Sequence, residues 1–110
     1  MGIGIDIVEI ERFGNIIDRW GDKFLNRIFS YNELSEWETR GKRLSLLAGK
    51  FATKEAFLKA DKSKVIKWKE IEVLDVPLES PMVWFKGQKK ELDLSISHTD
   101  NLVVSVVMIK

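Results

Sequence analysis

Gly49-Lys50-Phe51-Ala52-Thr53-Lys54-Glu55-Ala56-Phe57-Leu58-Lys59-Ala60 is the stretch that decides the fold. It reads as the second half of a helix beginning near Arg43. At about 100° per residue, Leu44, Leu47, Ala48, Phe51 and Leu58 gather on one stripe, and Leu46 and Phe57 lie roughly opposite. A helix with two apolar faces is buried in the middle of a fold. Glu55 projects from the centre of the main stripe, with Lys59 one turn on. A carboxylate in that place is desolvated unless something positive satisfies it. Two readings stand side by side: an intrahelical Glu55–Lys59 pair at i,i+4, or Glu55 as a metal ligand.

Outward from this helix, the chain divides into a strand, further helices and a closing set of strands. Gly2 to Ile10 alternates, with Ile3, Ile5 and Ile7 on one face and Gly4, Asp6 and Val8 on the other. Asp6 therefore shares its face with glycine and valine, a poor place for an idle surface acid, although a frayed strand end would also accept it. A helix over residues 10–20 has Ile10, Phe13, Ile16, Ile17 and Trp20 on its inner side, Arg12 and Arg19 outside, and Gly21 to end it. Residues 23–29 form one or two further helical turns. Ser30 and Glu33 have capping-box spacing, and Phe29 with Leu34 supplies a hydrophobic staple, so a third helix runs to about Thr39. Arg40-Gly41-Lys42 breaks the chain before the central helix.

After a polar turn at 61–64 come strands at 71–76, 82–85 and 92–97, with Pro77 and Pro81 bracketing a loop. Leu92, Leu94, Ile96 and His98 share the inward face of the third of these. A tight turn at 98–101 leads to an almost wholly apolar run, 102–109, patterned like a strand covered on both faces. The expected fold is α+β: an N-terminal strand, three to four helices including the buried central one, then an antiparallel sheet, in one domain over 1–110.

Composition sets limits on function. The 18 Lys and Arg are balanced by 17 Asp and Glu, for a net charge of +1, which argues against strong nucleic-acid binding. With no cysteine there is no disulfide and no thiolate-bound zinc. The start lacks the basic residues and long apolar core of a signal peptide, and no apolar run approaches a membrane span. The expectation is a soluble cytoplasmic protein without a membrane partner.

Asp6, Glu55 with Lys59, and His98 stand on elements that should pack together. Two carboxylates from different elements, with no cysteine and one histidine, suit a hard ion such as Mg²⁺, which keeps waters and accepts substrate phosphates as further ligands. Lys50, Lys54 and Lys59, with Lys62 and Lys64 beyond, would supply charge for those phosphates. His98 reads equally as a hydrogen-bonded structural residue. Residue chemistry alone leads to a metal-dependent enzyme acting on a phosphate ester. Arg12, Arg19, Lys23 and Arg27 form either a docking patch or an ordinary solvated face.

Four segments carry a resemblance. Residues 2–13 (GIGIDIVEIERF), 24–30 (FLNRIFS) followed by Glu33, 47–60 (LAGKFATKEAFLKA) and 94–99 (LSISHT) resemble, in order, the signatures of the holo-acyl-carrier-protein synthases. The resemblance spans essentially the whole chain. It implies a homotrimeric transferase, with active sites between subunits, that moves 4′-phosphopantetheine from coenzyme A to a serine of acyl carrier protein and releases adenosine 3′,5′-bisphosphate. By that resemblance Asp6 and Glu55 hold Mg²⁺, and Lys59 stands at the reacting phosphate. Lys50, Ser97, His98 and Thr99 hold the nucleotide end of coenzyme A, and Arg12, Lys23, Phe24 and Arg27 receive the acidic carrier. The serine proton goes to a water or to a carboxylate beside the ion.

The chain departs from the family pattern at 61–65 and 78–81, where glycines are replaced, so coenzyme A contacts near residues 61 to 67 are in question. Two other classes remain open. One is a small nucleic-acid-binding domain using the lysines of 59–69 and Trp68 as a stacking platform; the other is a non-catalytic interaction module of the same fold.

Overall fold

The computed structural model describes residues 1–62, 67–75 and 81–110. Strand β1 (Gly2–Glu9) leads into helices α1 (Ile10–Trp20), α2 (Asp22–Ile28), α3 (Tyr31–Thr39) and α4 (Leu44–Asp61). A 3-10 turn at Trp68–Glu70 precedes β2 (Ile71–Leu74), β3 (Met82–Phe85), β4 (Gln88–Lys89), β5 (Leu92–His98) and β6 (Leu102–Ile109). The expected α+β order is present, with four helices. The expected single antiparallel set of strands is instead two three-stranded sheets, β1-β6-β5 and β2-β3-β4. Strand β4 was not foreseen; the hairpin turn Lys86-Gly87, both at positive φ, folds it back on β3. The loop expected at 77–81 and the turn at 61–64 lie largely outside the described residues.

The helix boundaries follow local chemistry. Gly21, at φ 55°, ends α1 and donates its N–H to Ile17 O. Ser30 caps α3 in a full capping box with Glu33. Helix α4 is the centre of the molecule: Leu47, Ala48, Ala52, Ala56 and Phe57 have no solvent exposure. On one side Leu47, Ala48 and Ala52 join Phe13, Leu25, Ile28, Phe29 and Val103. On another, Phe57 packs with Ile71, Val73 and Val83 of the second sheet.

Helix α4 also lies directly on β1. A Cβ on Gly2 or Gly4 would come within 2.0 Å of Ala60 O or Ala56 O respectively, so glycine alone permits this approach. The contact sets Asp6, two residues past Gly4 on the same face, against the helix. β1 pairs with β6 throughout, Ile3 opposite Met108 and Asp6 opposite Ser105. Only one face of β6 is fully covered: Val103, Ser105 and Val107 are buried, whereas the opposite face carries half-exposed Met108. The expectation of cover on both faces does not hold within one chain, because among the described residues no helix packs on the outer face of this sheet. Trp20, assigned to the inner side of α1, is 52% exposed. It sits at the last residue of α1, and the Arg19 guanidinium lies 5.3 Å from its ring centroid.

Candidate functional site

The strand alternation that exposes Ile3, Ile5 and Ile7 turns Asp6 inward, where it is 9% exposed. Glu55 on α4 stands half-buried, and both carboxylates line a hollow with Val8, Arg12, Phe13 and Phe51. Burial first, then the hydrogen bond and the charge of Asp6, push the Glu55 carboxyl up to about 7, against the pull of Lys59. Asp6 Oδ2 is buried and has no hydrogen-bond partner among the described residues. The two observations agree once protons are counted: two carboxylates offer each other no donor, and a proton held on Glu55 supplies one.

Lys59 does not make the intrahelical ion pair with Glu55 considered above. Its ammonium reaches β1, donating to Ile5 O at 2.9 Å and Asp6 Oδ1 at 3.2 Å. Two converging carboxylates, one with an orphaned buried oxygen, fit a hard divalent cation as partial ligands. Among the described residues no group of three or more His, Cys, Asp or Glu gathers, so water and ligand oxygens would complete such a shell.

A second hollow, of about 200 Å³, is lined by Arg43, Ser45, Lys50, Val73, Asp75 and His98, among others. His98 keeps the inward face of β5, opposite buried Val103, but it is exposed because it stands at the end of an edge strand and α4 packs chiefly on β1 and β6. Its Nδ1 lies 3.4 Å from Thr99 O. Ser97 and Thr99 are exposed beside it. Thr99 Oγ1 accepts from the N–H groups of Asn101 and Leu102, which holds the turn after β5. Lys50 is only 3% exposed and donates to Glu36 Oε1 at 2.7 Å and Val73 O at 2.6 Å.

Of the lysines expected to meet phosphate, Lys54 is excluded. It has no solvent exposure, and its ammonium donates to Glu33 Oε1 (2.5 Å), Ile28 O (2.7 Å) and Trp68 O (3.3 Å). Those three bonds use all the donors an ammonium has. Lys62 is exposed, and Lys64 lies outside the described residues.

Arg12, Lys23 and Arg27 are exposed and Phe24 is half-buried. Lys23, Phe24 and Arg27 line one groove with Ile16 and Trp20, while Arg12 borders the Asp6–Glu55 hollow. The structure thus brings together Asp6, Glu55, Lys59 and Arg12 in one place, Lys50 and His98 in a second, and Lys23, Phe24 and Arg27 in a third. Sequence reasoning missed Glu36, Arg43 and Asp75 around Lys50. The available signal was spacing: Glu33 and Glu36 on one helix match Lys50 and Lys54 on the next.

The family model described as the 4′-phosphopantetheinyl transferase superfamily matches residues 2–107. A holo-acyl-carrier-protein synthase of Thermodesulfovibrio yellowstonii is 40% identical over 98% of this chain and 96% of its own. Among solved structures, the Helicobacter pylori holo-acyl-carrier-protein synthase in complex with coenzyme A superposes with a TM-score of 0.84 at 30% identity, covering 98% of this chain and 99% of that one. The Bacillus anthracis holo-acyl-carrier-protein synthase in complex with CoA (3′,5′-ADP) gives 0.79 at 33% identity, covering 96% and 92%.

Proposed function

Because the chain belongs to the 4′-phosphopantetheinyl transferase superfamily, among its holo-acyl-carrier-protein synthases, we propose that it moves 4′-phosphopantetheine from coenzyme A to a serine of apo acyl carrier protein. The reaction depends on Mg²⁺ and releases adenosine 3′,5′-bisphosphate. A bond forms between the serine oxygen and the β-phosphorus, and the bond from that phosphorus to the bridging oxygen breaks. The bridging oxygen leaves on adenosine 3′,5′-bisphosphate, and the serine proton passes to a water or a carboxylate at the Asp6–Glu55 site. The observation that carries this reading is the Asp6–Glu55 pair with its orphaned oxygen, beside a lysine, in an open hollow. Asp6 and Glu55 would hold the Mg²⁺, which would supply Lewis-acid polarisation of the pyrophosphate. Lys59 stands over the same carboxylates with an exposed head, placed to offset charge gathering on the reacting phosphate. Lys50, Ser97, His98 and Thr99 take the nucleotide end. Excess EDTA is expected to stop turnover, and added Mg²⁺ to restore it. Activity that persists in excess chelator contradicts the metal assignment.

The carrier protein docks on Arg12, Lys23, Phe24 and Arg27, an apolar and cationic surface that suits an acidic partner. Arg12→Glu and Arg27→Glu are expected to raise the KM for carrier while leaving that for coenzyme A nearly unchanged. Salt should weaken the wild type more than the variants. An unaltered KM for carrier in both variants reduces the patch to a solvated face.

Ile3, Ile5 and Ile7 are 64%, 57% and 59% exposed, and Met108 continues their face across the ladder. A contiguous apolar strip of that kind marks an interaction surface. Among the described residues, neither of these two hollows, about 200 and 280 Å³, reaches the ~300–1,000 Å³ of ligand pockets. Both observations support copies of this chain as the occupant of the strip, in a homotrimer with active sites between subunits; the number three comes from the family resemblance. Light scattering at assay concentration should give an oligomer. A fully active monomer overturns this.

A further inference from the structure

Among the described residues, strand β2 bonds to β3 on one edge only, and no strand lies beside its other edge. An open edge of this kind leaves backbone groups that must be satisfied some other way. Here charged side chains do it. Val73 N donates to Glu33 Oε2 at 2.9 Å, Asp75 N donates to Glu36 Oε2 at 3.1 Å, and Val73 O accepts from Lys50 Nζ at 2.6 Å. The same two glutamates hold the two lysines of α4 through their other oxygens: Glu33 with Lys54, and Glu36 with Lys50. Two stacked ion pairs from α3 and α4 thus stand where a neighbouring strand would be. Arg40 closes the outer end by pairing with the Asp75 carboxylate.

The inner pair, Lys54–Glu33, is fully buried and saturated. The outer pair differs because it borders the hollow that also holds Arg43 and His98. Lys50 spends two N–H donors on Glu36 and Val73 O, and among the described residues nothing takes the third of an ammonium's three. Held this way, its head is already ordered. A phosphate that meets it does not bear the loss of rotamer freedom that a free lysine would impose. Glu36 also divides its charge between the Lys50 ammonium and the Asp75 N–H, so Lys50 is oriented without a carboxylate devoted to it alone. We propose that Glu36 is a positioning residue for the nucleotide end of coenzyme A, fixing both the Lys50 ammonium and the Val73–Asp75 wall of the hollow. The inference rests on the transferase reading above, which makes this hollow the nucleotide site.

The test is calorimetric titration of coenzyme A and of adenosine 3′,5′-bisphosphate, with Mg²⁺ present, into wild type, Glu36→Ala and Glu36→Gln. Thermal melts and the KM for carrier are measured alongside. Loss of the charged hydrogen bonds in Glu36→Ala should weaken both ligands by about tenfold. Glu36→Gln, which keeps one carbonyl acceptor, should fall between. The KM for carrier should stay within about twofold, because the wall lies apart from the docking helices; a general loosening of the fold would move it too. Equal or tighter binding of both ligands by Glu36→Ala, as expected if Glu36 merely competes with phosphate for Lys50, overturns the proposal. So does a carrier KM that rises in step with ligand Kd. A wild type that binds neither ligand overturns the transferase reading itself, and this inference with it.

Discussion

Asp6→Asn and Glu55→Gln are each expected to reduce turnover by about a hundredfold or more, to shift the Mg²⁺ requirement upward, and to leave the fold intact. Both substitutions keep side-chain shape and remove one ligand charge. Asp6 sits 9% exposed with one oxygen unpartnered, and Glu55 faces it from α4. Without a cation, two carboxylates in that place repel each other, and Glu55→Gln should therefore melt at an equal or higher temperature in EDTA. The structural alternative places the value of these residues in the Asp6–Lys59 ion pair, and predicts lower stability with the Mg²⁺ dependence unmoved. Lys59 is more than half exposed, and pairs so open to solvent contribute little.

The pH dependence has a definite sign. Glu55 keeps its proton up to about 7 when folded and loses it near the ordinary 4.5 when unfolded. Between those values the folded state holds the extra proton, so stability of the metal-free protein falls as pH rises from 4.5 to about 7 and levels off above. Glu55→Gln should flatten that slope. A slope unchanged by the substitution contradicts the assignment.

Lys54→Met should lower stability by about 3–5 kcal/mol, the cost of breaking a buried ion pair from one side. The change leaves Glu33 without exposure and without its cation, while the Ile28 and Trp68 carbonyls lose their donor. Burial already raises the Glu33 carboxyl and lowers the Lys54 ammonium, and the opposite charge of each partner works against that shift. Adding Glu33→Gln removes the stranded charge and keeps an acceptor for Ser30 N or Val73 N. The double variant should recover part of the loss, and urea melts of the four-member cycle measure the coupling. Strict additivity would mean that the pair is not an energetic unit.

Much of the architecture was legible because it rests on local signals. The capping box at Ser30, the glycine stop at 21 and the strand alternation at 2–8 are each written within a few residues. The burial of α4 followed from its two apolar faces. What the sequence concealed was non-local. The roles of Lys50 and Lys54 depend on Glu36 and Glu33, which periodicity on α4 alone does not reveal. A buried, saturated lysine and a phosphate-binding lysine look the same on a helical wheel. The partner of Lys59 was misplaced for a related reason: the glycine-permitted approach of β1 brings Asp6 within reach, and no spacing rule encodes that. The exposure of Ile3, Ile5 and Ile7 was likewise hidden, since alternation tells which residues share a face but not which face is covered. For the site, pairing Asp6 with Glu55 came from chemistry, whereas assignment to a reaction came from family signatures.

Mass spectrometry of apo acyl carrier protein incubated with this protein, coenzyme A and Mg²⁺ tests the proposed reaction most directly. The expected result is a carrier heavier by one 4′-phosphopantetheine, located on a single serine and absent when EDTA is added. A carrier that keeps its apo mass, with folded protein and all three components present, would contradict the transfer reaction.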